Sequence, residues 1–87
     1  MTFTMSEEIR HALNYAEQMQ RALQVEKDIK EMSGPDCIAY LLNVGIWTQA
    51  DLARNSGMTA ATITAIKKGK KPNAAQRAAF CWAIAKR

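Results

Sequence analysis

Apolar positions in the first third of the chain recur at helical spacing, but they fall on two faces instead of one. Ile9, Ala12, Leu13, Ala16, Met19 and Leu23 share the first face. Tyr15, Met19, Ala22, Val25, Ile29 and Met32 share a second, rotated by roughly a third to a half turn at 100° per residue. Ser6 can cap this helix, and Glu7 and Glu8 suit the positive end of its dipole. No Gly or Pro interrupts the stretch from Glu7 to Met32, and Gly34-Pro35 then ends it. At 1.5 Å per residue, about 26 residues make a rod of ~40 Å. Two faces imply two tasks. The second half is expected to pack on the body of the protein, and the first half to meet another chain.

The remainder reads as four shorter helices. One is predicted from Pro35 to Asn43, with Cys37, Ile38, Leu41, Leu42 and Val44 on its apolar face and Gly45 at its end. Thr48 caps a short helix over Ala50 to Asn55, with Leu52 and Ala53 facing inward. Gly57 suits the sharp corner that follows, where a positive φ carries no steric penalty for glycine. Met58 is an apolar plug. Thr59 caps the next helix, Ala60 to Lys68, in which Ile63 and Ile66 face the core and Gly69 closes the end. Asn73 caps a last helix from Ala74 to Ala85. Its core face is predicted as Ala75, Ala78, Ala79, Trp82 and Ile84, with Phe80 and Cys81 at the margin. Trp47, Trp82, Phe80 and Tyr40 are expected as core or interface anchors. Two units result: residues 1–33 as a long helix for oligomerisation or docking, and 34–87 as a globular domain.

Composition agrees with helices. The 87 residues include only four Gly and two Pro, and 48% are hydrophobic, as in an ordinary globular chain. Charge changes the picture more. Residues 1–32 carry six acids against four bases, a net of −2, whereas residues 33–87 carry two acids against eight bases, a net of +6. A basic half behind a mildly acidic arm suits the phosphate backbone of a nucleic acid. The two cysteines, Cys37 and Cys81, match no metal-ligand spacing and read as buried free thiols of a reducing cytoplasm. His11 is the single histidine, so no multi-histidine zinc site is expected. There are no paired carboxylates in a plausible cleft, no Gly-rich phosphate loop and no Ser-His-Asp arrangement. No catalytic residue, cofactor or metal is therefore expected, and the chain is not read as an enzyme. Nor is there an apolar run near the ~20 residues of a membrane span, and the acidic start of the chain does not resemble a signal peptide.

Two short helices joined by a tight glycine turn form a helix-turn-helix. The run Thr48 to Gly69, TQADLARNSGMTAATITAIKKG, resembles that of the phage repressor and Cro superfamily, also called the XRE family. The matching positions are Thr48, Gln49, Leu52, Ala53, Gly57, Met58, Thr59, Thr62, Ile63, Ile66 and Gly69. The exit Lys70-Lys71-Pro72-Asn73 is similar to the family's path into its closing helix. The resemblance covers about Cys37 to Ala85 and leaves the N-terminal rod aside. It implies an all-α fold, a five-helix lambda-repressor-like helix-turn-helix bundle, here with a long N-terminal helix added. It also implies roles. Ala60, Ala61, Thr62, Thr64 and Ala65 of the recognition helix would face base edges in the major groove. Thr48, Gln49, Thr59, Lys67, Lys68, Lys70 and Lys71 would meet phosphates. Relatives often carry Gln, Arg or Asn where Ala60, Ala61 and Ala65 stand. Three alanines cannot hydrogen-bond a base, so direct readout falls to methyl contacts with thymine and to the threonine hydroxyls, helped by DNA shape and dimer spacing.

The function expected from these residues is a cytoplasmic, sequence-specific transcriptional regulator, a phage or prophage repressor. It would bind a double-stranded operator as a homodimer or higher oligomer, with half-sites about one turn, ~34 Å, apart. Ile9, Leu13, Ala16, Met19 and Leu23 would form the oligomer interface. The alternative is an antitoxin, or a module controlled by an antirepressor, whose N-terminal helix docks that protein partner. A weaker reading is a protein adaptor that has lost its DNA role.

Overall fold

A computed structural model describes residues 6–86. Within them the fold is all-α, with α1 over Glu7–Ile29, α2 over Gly34–Gly45, α3 over Gln49–Ser56, α4 over Ala60–Lys67 and α5 over Ala74–Ala85. Each helix begins on a side chain that accepts the N–H three residues on. Ser6, Ser33, Thr48, Thr59 and Asn73 do this at 3.3, 3.3, 3.2, 3.1 and 2.8 Å. Such caps satisfy donors that a helix start leaves without partners.

Most helix boundaries lie within a residue or two of the sequence expectation, and those around α1 and α2 differ in a way that matters. The long helix stops at Ile29 instead of Met32, and α2 opens one residue before the expected Pro35, at Gly34. Proline lacks an N–H that the first turn could not use. Gly45 does not end α2 in a left-handed turn. That conformation falls on Ile46, at φ 55°, which is sterically unfavourable for a β-branched residue. Gly45 is instead excluded from carrying a side chain, since a Cβ there would lie 2.8 Å from the Trp47 ring.

The largest fully buried side chains are Phe80, Ile29, Ile38, Leu41, Leu52, Ile63, Ile66 and Cys37. Every helix contributes to this core. Phe80 lies at its centre, not its margin, and Cys81 is buried beside it, while Ala75 and Ala78 face solvent. The reason is the way α5 lies against α1. Tyr15 stacks on Trp82 at a centroid distance of 6.0 Å, and Glu26 pairs with Arg77 at 3.1 Å. The two helices therefore run antiparallel, and their contact fixes which side of an apolar α5 turns inward. Val44, expected inside, is 43% exposed. Tyr40 is half-buried and donates its hydroxyl to Asp28 Oδ2 at 2.6 Å, a second tie between α1 and the body.

The outer face of α1 stays uncovered. Ile9, Leu13, Ala16, Met19 and Leu23 are all exposed, Leu23 by 63%. Ala22, Val25 and Ile29, on the second face, are buried. Tyr15 and Met19, also on that second face, are exposed, so burial in α1 is confined to its second half, in a molecule 57 Å long and 24 by 20 Å across.

Candidate nucleic-acid interface

Helices α3 and α4 are fixed from below by Leu52, Ala53, Ile63 and Ile66, all buried. The turn between them places Gly57 at φ 71°, where a side chain would strain the backbone. Met58, half-buried, packs against the core beneath that turn. Reciprocal bonds close the start of α3. The Thr48 N–H donates to Asp51 Oδ2 and the Asp51 N–H to Thr48 Oγ1, both at 3.2 Å. These bonds from Thr48, with Arg54 alongside, hold the Asp51 carboxyl below the ordinary carboxylate range.

Over residues 60–64 of α4 the exposed side chains are small and uncharged. Ala60, Ala61 and Thr64 are exposed, and no other helix covers them. Thr62 and Ala65, expected beside them, are half-buried. Thr62 sits on the flank, its hydroxyl 2.9 Å from that of Thr59. The carbonyl of Ala65 accepts the Lys70 N–H of the returning chain at 3.1 Å. Three of the five expected side chains are thus exposed and two are partly so.

Cations gather where α4 ends. Lys67, Lys68, Lys70 and Lys71 are all exposed. Two ion pairs form among the described residues, Arg54 with Asp51 and Arg77 with Glu26, so neither neutralises any of these four lysines. Lys67 Nζ donates to Gln49 Oε1 at 3.0 Å, joining the last turn of α4 to the first of α3. The Gln49 amide nitrogen is then left to donate elsewhere, and Gln49 and Lys67 form one polar group across both helices. Thr48 and Thr59 stand at helix starts, and both accept backbone N–H groups there.

The lysine loop is anchored from behind. Pro72 is buried, and Arg77 donates to its carbonyl at 3.1 Å while its Nε donates to Glu26. Arg77 thus belongs to the scaffold and not to the free positive charge, and Arg87 lies outside the described residues. Gly34 meets the other side of the same region. A Cβ there would collide with the carbonyl oxygens of Ile66 and Lys70. Two of these contacts, Arg77 with Glu26 and Gly34 with Ile66 and Lys70, join residues far apart in the chain and leave no local signal in the sequence.

No family model, curated protein or solved structure matches this chain. The likeness to the phage repressor and Cro superfamily thus rests on the motif positions between Thr48 and Gly69 alone.

Other polar groups offer no second site of comparable character. Burial pushes the Cys37 thiol up to about 11 and Cys81 to about 12, the latter also facing Glu26, whose Oε2 is 3.8 Å from its Sγ. Neither is a thiolate near neutral pH. Among the described residues no three His, Cys, Asp or Glu side chains are grouped as metal ligands, and no helix is long and apolar enough to cross a membrane. A cleft of about 580 Å³ lies between the segment that joins α2 to α3, α3 itself and the end of α5, and includes Trp47, Asp51, Arg54 and Lys86. Its lining carries both signs of charge and includes no residue of α4.

Proposed function

We propose that this protein binds duplex DNA with α4 in the major groove and acts as a transcriptional regulator of the phage repressor type, in the cytoplasm. The observation that carries the proposal is the outer surface of α4. Its exposed face is free of bulk and of acid, and four exposed lysines outside any ion pair stand at its end. A helix of this kind fits a groove about 12 Å wide. Ammonium groups beside it would replace counterions on the phosphates.

Readout follows from the side chains. Ala60, Ala61 and the Thr64 methyl can touch thymine methyls, and the Thr64 hydroxyl can bond either to a donor or to an acceptor. Gln49 would donate to a phosphate from the start of α3, with Lys67 fixing its orientation. Discrimination per half-site is modest, and affinity leans on charge.

A selection from random duplexes tests this. The purified protein is expected to enrich fragments that share fixed thymine positions, and the logarithm of its affinity should fall with log salt at about −0.9 per phosphate contact. Failure to bind any duplex at low salt would contradict the proposal.

The exposed apolar face of α1 favours a second reading that retains DNA binding. There α1 docks a different protein, a toxin or an antirepressor, and the regulator answers to that partner.

A further inference from the structure

We infer that the exposed face of α1 pairs with the same face of a second copy, the two helices running antiparallel about a two-fold axis at Ala16. The spacing is the first reason. Ile9, Leu13, Ala16, Met19 and Leu23 follow one another by four, three, three and four residues, a pattern that reads the same from either end. An antiparallel pairing centred on Ala16 brings Ile9 to the level of the partner's Leu23 and Leu13 to the level of its Met19. The two Ala16 side chains then meet at the axis, where small residues let helices approach to ~8 Å. A surface that complements itself is what a two-fold dimer requires.

Area is the second reason. The stretch from Ile9 to Leu23 is ~21 Å of helix, and one helix pair of that length falls short of the ~800 Å² per partner of a stable interface. An adjoining groove of about 220 Å³ between α1 and α5, lined by Met19, Ala22, Leu23, Ala78 and Trp82 together with the carboxylate-bearing Glu26, extends the surface. In the antiparallel arrangement the partner's first turns come level with this groove, on both sides of the axis at once. The contact thus becomes one of four helices, α1 and α5 from each copy.

The pairing also sets a distance for DNA, a consequence that rests on the proposed function. Gly34, just past the end of α1, abuts the carbonyls of Ile66 and Lys70. The end of α4 is therefore roughly level with the end of α1, thirteen residues or ~20 Å from Ala16. Two such ends lie about 40 Å apart, beyond the ~34 Å of one helical turn. Half-sites are then expected more than one turn apart.

Sedimentation of the full chain without DNA tests the pairing independently of any DNA reading. A mass about twice 9.7 kDa is expected. Ala16→Glu should weaken self-association at least 100-fold with an unchanged helical spectrum, because Ala16 is exposed in the single chain, while Asn14→Glu should not. Orientation is read from cross-links under oxidation. Ala16→Cys should dimerise readily, and an Ile9→Cys variant should cross-link to a Leu23→Cys variant but not to itself. A monomer at every concentration, or self-cross-linking of Ile9→Cys, would overturn the inference. A dimer that selects no DNA would leave the pairing intact and reject the proposed function.

Discussion

Exchanging both Lys67 and Lys68 for glutamate is expected to weaken DNA binding by at least about 100-fold at physiological salt and to reduce the salt slope by about two. Two phosphate contacts are lost, and two anions replace them beside a polyanion. The two positions should not weigh equally when neutralised one at a time. Lys68→Gln removes one exposed charge and is expected to lower the slope by about 0.9. Lys67→Gln removes a charge and also the ammonium that holds Gln49 at 3.0 Å. It should therefore cost more affinity than Lys68→Gln, and the excess should vanish in a Gln49→Ala background. Fluorescence anisotropy over a salt series measures all of this. Full affinity with an unchanged slope in the double glutamate variant would move the interface away from the end of α4.

Gly34→Ala is expected to destabilise the fold by about 3 kcal/mol, which lowers the thermal midpoint by on the order of 15 °C for a chain of this size. Helix propensity alone gives the opposite sign, since alanine exceeds glycine by up to about 1 kcal/mol inside a helix. Packing decides. The added methyl would strike two backbone oxygens, those of Ile66 and Lys70. Neither belongs to a side chain that could rotate away, so α2 and the end of α4 must separate. The same shift would displace Lys67, Lys68 and Lys70, so DNA binding should fall at temperatures where the variant is still folded. Thermal unfolding by circular dichroism tests the stability change. A midpoint equal to or above that of the parent would show that the two helices separate there without cost.

Local physics made much of this fold legible. The caps at Ser6, Thr48, Thr59 and Asn73, the corner at Gly57 and the span of α5 depend on bonds within one turn, and the residue types announce them. The 3.6-residue period around Ile63 and Ile66 likewise assigns Ala60, Ala61 and Thr64 to the outside of α4. Phe80 was not legible. Helix α5 is apolar nearly all round, and only its antiparallel contact with α1 selects the buried side. Arg77 reads as free positive charge until Glu26 is brought beside it from 51 positions earlier. Ala65 points outward by period, yet it is half-buried. Local spacing supplied the exposed face of α4; the parts that hold it rigid came from long-range contacts.

The central claim is that Ala60, Ala61 and Thr64 meet the groove. Its most direct measurement is a titration of isotope-labelled protein with a selected duplex, following each backbone amide. The largest shifts are expected at Gln49 and over residues 59–71, with those of α5 nearly still. Shifts concentrated on α5 while Ala61 and Thr64 stay unmoved, or no response to any duplex, would contradict it.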